Sequence, residues 1–239
     1  MFPVYRVSEG IENMEENYKT FDLCKDIFKQ NGIVLIFSEG RCVNEWHLRP
    51  LKKGTARLAI SSWEDGIDLK VLPVAINYSS FKKFGKNIKL FFGDIITKKD
   101  IDFKDSHGNA IRQFNETLKA ALGEYVFEID ASDKTTLQNK FYVNQPVLKK
   151  ILLFIPATMG LVVHAPLFLF VKWLTGILIK EDGHYDSKMI GFLFVLYPLL
   201  LLILSASIFS ITANWLSFSV ILILPFTAWS YVQLKNQLN

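Results

Sequence analysis

The sequence predicts an α/β domain, with a partial mixed sheet flanked by helices, followed by a C-terminal helical transmembrane region. Two observations carry this. Short apolar runs alternate with amphipathic segments through residues 1–131, the pattern of strands laid between helices. Charge is also divided unevenly. Residues 1–150 hold 23 of the 27 Lys and Arg and 20 of the 23 Asp and Glu, whereas Met189 to Leu234 contains no charged side chain. The mean hydropathy of +0.23, with 50% hydrophobic and 21% charged residues, therefore averages two unlike populations.

Residues 12–30 place Met14, Tyr18, Phe21, Leu23, Ile27 and Phe28 near helical spacing, and Gly32 supplies a stop. Ile33 to Phe37 is an unbroken apolar run, expected as a strand buried on both faces. Leu51 to Trp63 reads as a second helix. Val71 to Ile76 reads as a strand whose Pro73 marks an edge, a bulge or an exit from the sheet. Ile88 to Phe92 is a third strand, and Asn109 to Leu122 another amphipathic helix. The polar stretch from Ser132 to Gln145 reads as a linker. The expected organisation is an α/β domain over 1–131, a linker over 132–150 and a membrane region over 151–239.

A helix needs about 20 apolar residues to cross the hydrocarbon core. Residues 189–234 suffice for a helical hairpin turning near Ala213 and Asn214, with Trp215, Trp229 and Tyr231 near the interfaces. Ile151 to Ile179 contains Pro156, His164, Pro166 and Lys172, which leaves a kinked crossing, a re-entrant segment and an interfacial helix all open. Lys149 and Lys150 just before it are compatible with a cytoplasmic start, and the α/β domain is expected to face the cytoplasm. Cys24 and Cys42 have no metal-type spacing and read as inert thiols of a reduced compartment. A net charge near +3 over residues 1–150 falls short of a nucleic-acid binder and suits an anionic membrane surface or a phosphate-bearing substrate.

The chemistry concentrates in residues 33–59, where the apolar run ends on Ser38-Glu39-Gly40 and cations follow at Arg41, Arg49, Lys52, Lys53 and Arg57. Gly40 permits a sharp turn or a close approach to a ligand. Lys52 and Lys53 stand at the start of a helix, where cations oppose the dipole unless an anion joins them. Phosphate is the obvious anion. A solvated basic face with a loop glycine is the plainer explanation of the same residues.

Three blocks in order resemble the glycerolipid acyltransferase family, whose members acylate glycerol 3-phosphate and 1-acylglycerol 3-phosphate. Phe37-Ser38-Glu39-Gly40-Arg41-Cys42-Val43 with Leu51-Lys52-Lys53-Gly54-Thr55-Ala56-Arg57 resembles the block written Phe-Pro-Glu-Gly-Thr-Arg-Ser and its Phe-Lys-Lys-Gly-x-x-Arg helix. Phe2-Pro3-Val4-Tyr5-Arg6 is similar to the block before it, and Val71-Leu72-Pro73-Val74-Ala75-Ile76 to the one after. The resemblance implies that Arg6, Ser38, Glu39, Gly40, Arg41, Lys53 and Gly54 surround an acceptor phosphate. Ser38 stands where the family has proline, and Arg41 lies one position earlier than the family's arginine. The implied partners are acyl-CoA or acyl carrier protein as donor, a phosphorylated glycerol or lysophospholipid acceptor, and the lipid bilayer, with no nucleic acid, metal or bound cofactor.

The family's first block, His-x-x-x-x-Asp, supplies the base that takes the proton of the acceptor hydroxyl. Five residues after His47, His107, His164 and His184 come Lys52, Arg112, Leu169 and Met189, so no histidine here has the aspartate. His47 reads as a loop residue, His184 as incidental, and His164 as a polar residue in an apolar segment with no partner evident in the sequence. No catalytic residue is assigned. Because the second block begins at residue 2, the expectation is a chain truncated at its N-terminus. The function implied is a membrane-bound acyltransferase-like protein of phospholipid synthesis. The alternative is a non-catalytic membrane protein that binds an anionic lipid without turnover.

Overall fold

A computed structural model describes residues 14–41, 43–82, 85–103, 106–178 and 185–235. The fold is α/β, with a two-stranded antiparallel sheet among helices and three long apolar helices at the C-terminal end. The elements are α1 (Met14–Lys29), α2 (Lys53–Glu64), β1 (Val74–Tyr78), β2 (Ile88–Phe92), α3 (His107–Gly123), α4 (Lys134–Phe141), α5 (Val147–Leu178), α6 (Tyr185–Thr212) and α7 (Val220–Lys235), with short 3-10 turns at Lys98–Asp100 and Trp215–Ser219. Two compact units result. One comprises Met1–Cys42, Trp46–Asn77 and Leu90–Glu128, the other Val43–Glu45, Tyr78–Lys89 and Ile129–Asn239.

The first unit is built on α2 and α3. Ala56, Ala59, Ile60 and Trp63 recur at helical spacing, and so form one stripe of α2. They pack on Ala110, Ile111, Phe114 and Leu118 of α3, with Ile96 and Ile101 completing the core. Trp63 meets Phe114 edge-on at 5.9 Å between ring centroids, and its indole N–H donates to the Leu69 carbonyl at 2.8 Å. Burial of the largest core side chain therefore leaves no polar atom stranded. Helix α1 ends as the sequence predicts, but Asn31 is the residue that turns left-handed, with φ of 57°. The Gly32 amide donates to the Ile27 carbonyl and the Asn31 amide to that of Phe28, a Schellman arrangement that closes the last turn.

Ile33 to Phe37 is not a strand. The segment is extended but, among the described residues, no strand lies beside it, and Ile33, Leu35 and Phe37 are exposed. A strand requires a hydrogen-bonding neighbour as well as apolar side chains, and only the second of these is visible in the run. The strand expected from Val71 begins at Val74. Pro73 has no N–H to donate, although its carbonyl accepts the Gly93 amide at 2.9 Å. Val71 then pairs with Ile96 in an isolated bridge, two residues back from Pro73 against three forward from Gly93. The extra residue makes a bulge, one of the outcomes that the proline foretold.

In the second unit the polar stretch expected as a linker holds α4, whose N-cap Asp133 accepts the Thr136 amide at 2.9 Å. Helix α5 runs unbroken through Pro156 and Pro166. The hairpin is formed by α6 and α7, with Ala213 left-handed at φ of 48° and Asn214 capping the 3-10 turn that follows. Helices α5 and α6, and the stretch Trp215–Lys235, are each long and apolar enough to cross a membrane. Small residues let α5 and α7 approach closely. A Cβ on Gly160 would be driven into the Thr227 carbonyl.

Candidate functional site at the start of α2

The loop after Ile33–Phe37 is fastened to the start of α2 by backbone contacts. The Lys52 amide donates to the Ser38 carbonyl at 2.7 Å, and the hydroxyls of Ser38 and Thr55 lie 2.9 Å apart. The Gly40 amide closes a turn on the Phe37 carbonyl at 3.1 Å. Gly40 itself sits at φ of +68°, and a Cβ there would come within 3.0 Å of the Lys52 side chain. Both facts favour glycine at this position. Glu39 turns inward on its own chain: its Oε1 accepts the Arg49 amide at 3.0 Å. It therefore orders the loop between Gly40 and α2.

Helix α2 opens without a side-chain cap at Lys52 and without an acidic residue in its first turn. Its leading amides and the exposed Lys53 leave donors where an anion is stabilised. Gly54 faces open space. Ser38, Glu39, Gly40 and Lys53 are thus gathered at one junction, with Arg41 exposed beside them. Arg6 and Cys42 lie outside the described residues. Cys24 is buried, and burial pushes its thiol above the ordinary value.

The histidines differ from the reading of the sequence. His47 is more than a solvated loop residue: its Nδ1 lies 2.6 Å from Oε2 of Glu128, whose Oε1 accepts the Leu48 amide at 3.0 Å. The Leu48 amide first, and the His47 contact after it, hold the Glu128 carboxyl below the ordinary value for a glutamate. His47 and Glu128 remain about half exposed, at 52% and 54%. His107 makes a looser contact of 3.2 Å with Glu64. His164 has partners after all, since Nδ1 donates to the Gly160 carbonyl at 2.8 Å and Nε2 accepts from the Tyr197 hydroxyl at 3.1 Å. Nδ1 is used within α5 and Nε2 ties α5 to α6, a structural role. His184 lies outside the described residues. Sequence spacing offered no signal for the His47–Glu128 contact, which joins residues 81 apart.

Residues 1–77 match the family model described as Acyltransferase. That span contains all three resembling blocks, the loop at 38–41 and α2, and it ends within β1. The match thus covers the N-terminal third of the chain, and helices long and apolar enough to cross a membrane follow it. Comparison with curated proteins and with solved structures gives no match.

Proposed function

We propose that this is a membrane-bound acyltransferase-type protein whose loop at 38–41 and α2 start hold the phosphate of a glycerol-phosphate-type acceptor in phospholipid synthesis. One observation carries the reading. The uncapped start of α2 is tied through the Lys52 amide to Ser38, which sets helix amides and Lys53 beside the Gly40 turn within acyltransferase-family sequence. Arg6, Arg41 and Gly54 belong to the same proposed site. The α/β domain over 1–131 faces the cytoplasm, joined through 132–150 to the membrane region, a placement supported by Lys149 and Lys150 before the first apolar helix.

In the reaction, the acceptor hydroxyl oxygen attacks the carbonyl carbon of an acyl thioester carried by coenzyme A or acyl carrier protein. The new C–O bond forms, the C–S bond breaks, and the hydroxyl proton ends on the released thiol. The residues at the α2 start contribute binding and orientation. Proton removal needs a base, and no histidine here has the His-x-x-x-x-Asp spacing. That observation favours a second reading, in which the chain holds an anionic lipid without turnover.

The test is calorimetric titration of the full chain in detergent with glycerol 3-phosphate and with lysophosphatidate, followed by thioester consumption on the same sample. Saturable binding that weakens in Glu39→Ala supports the site. Binding with turnover favours the enzyme, and binding alone favours the lipid-holding protein. Failure to bind either acceptor overturns the site altogether.

A further inference from the structure

A second cationic feature lies in the first unit. Pro50, Leu51, Lys53 and Arg57 form one wall of a groove of about 620 Å³, and α3 forms the other. Arg112 and Lys119 reach it from α3, two turns apart on one face, while Lys53 and Arg57 stand one turn apart on α2. Four cations therefore line the groove against one carboxylate, Glu116, which approaches Arg112 only to 3.9 Å with both side chains exposed. Lys119 lies near enough to the Glu128 carboxylate to help hold it charged, whereas no hydrogen bond or ion pair is seen for Lys53 or Arg57 among the described residues. Like charges brought together across two helices repel unless an anion lies between them.

The floor adds a second requirement. Pro50, Leu51 and Ile111 are apolar, and Ile111 belongs to the core beneath. A ring of cations over an apolar base fits an amphiphilic anion better than a bare ion. We propose that the groove between α2 and α3 is a binding site for the phosphate headgroup of an anionic phospholipid. The volume suits one headgroup and not an extended polyanion. Supply also favours lipid: a chain with helices able to enter a bilayer meets headgroups at an effective concentration far above that of most solutes. The site shares only Lys53 with the loop at 38–41, and it does not depend on acyl transfer.

Native mass spectrometry of the full chain in detergent, with phosphatidylglycerol or phosphatidylcholine added, tests the assignment. The wild-type chain should retain phosphatidylglycerol in preference to phosphatidylcholine. Arg112→Glu combined with Lys119→Glu should lower that preference about tenfold or more, because two exposed cations become anions. Unchanged far-ultraviolet circular dichroism would show that the variant folds. A wild-type chain without preference, or a variant that keeps it, overturns the proposal. Equal displacement of lipid by equimolar inorganic phosphate would also overturn it, as the mark of a site for soluble phosphate. Glycerol 3-phosphate binding that survives the double substitution would separate this site from the one at 38–41.

Discussion

Glu128 fastens two consecutive residues at once, taking the Leu48 amide on Oε1 at 3.0 Å and the His47 ring on Oε2 at 2.6 Å. The next amide, that of Arg49, goes to Glu39 at 3.0 Å. Adjacent amides are thus held by two carboxylates, one from the Gly40 loop and one from beyond α3. The Glu128 carboxyl is held below the ordinary glutamate value of 4.5, so its folded form favours the charged state. The stabilisation is fully present above that ordinary value and is lost as pH falls through the lower, folded one. Acid should therefore release residues 47 and 48 before it melts the α2–α3 core. Hydrogen exchange at the Leu48 amide is the measurement. Glu128→Ala should speed it by about two- to tenfold, corresponding to about 0.5–1.5 kcal/mol for one hydrogen bond. Exchange indifferent to both acid and the substitution would remove the tie.

Glu39 bonds to its own backbone, so its effect on ligand binding should be indirect. Glu39→Gln keeps an acceptor for the Arg49 amide, whereas Glu39→Ala leaves that amide without its side-chain partner. We expect Glu39→Ala to weaken glycerol 3-phosphate binding by about tenfold, and Glu39→Gln by clearly less. Equal losses in both variants would mean that the charge acts directly. Ligand titration of the two purified variants against wild type decides between them.

What was legible in the sequence, and what was not, follows from the range of each interaction. Helices α2 and α3 were readable because Ala56, Ala59, Ile60 and Trp63, or Ala110, Phe114 and Leu118, carry their burial in their spacing. The turn at Ala213 and Asn214 and the proline-marked bulge near Val71 were local as well. The apolar run at 33–37 showed no such fidelity, since its side chains say nothing about whether a neighbouring strand is present. Helix α4 was missed although Asp133 and Thr136 formed a visible cap, because the polar composition around them outweighed it. In the candidate site, the turn at Gly40 was local and legible. The partners of Glu39 and His47 were not, because both depend on how distant backbone is brought alongside.

Gly160 is the position in the apolar helices where a single methyl group should matter. Any Cβ there meets the Thr227 carbonyl, a backbone atom that cannot rotate away. Gly160→Ala should separate α5 from α7 and cost about 1–3 kcal/mol, the range for overpacking a tight contact. Gly176, on the same helix, has nothing within 4 Å of a built Cβ and supplies the control. Thermal unfolding in detergent should fall for the first substitution and hold for the second. Equal melting temperatures would show that the crossing is looser than described.

Helix α5 changes what a truncation should do. Removing residues 185–239 deletes α6 and α7 but leaves a 32-residue helix long and apolar enough to cross a membrane. Such a chain should stay in the membrane pellet after carbonate extraction. Removing residues 147–239 should release the remainder into the supernatant, apart from any that aggregates, which flotation on a density gradient would separate. Release by the shorter deletion would mean that α5 does not enter the hydrocarbon core.

The chain of 239 residues, made as written, should not transfer acyl groups at an ordinary enzymatic rate. In the proposed reading its loop and α2 start position a phosphate, but no histidine carries an aspartate five residues on. General-base assistance contributes about 10²–10⁴-fold, so a chain acting without it should show little measurable turnover. The His47–Glu128 contact gives this expectation a specific rival. An imidazole with Nδ1 against a carboxylate retains Nε2 to accept a proton, and residue 47 stands two positions from the amide that Glu39 holds. Its exposure argues against it, because an unburied pair loses its charge coupling to water. Thioester consumption by the membrane-reconstituted chain, with glycerol 3-phosphate as acceptor, separates the two. Turnover of about one per second or faster that disappears in His47→Ala would make this pair the base. Turnover that survives replacement of all four histidines would mean that the proton leaves by another route.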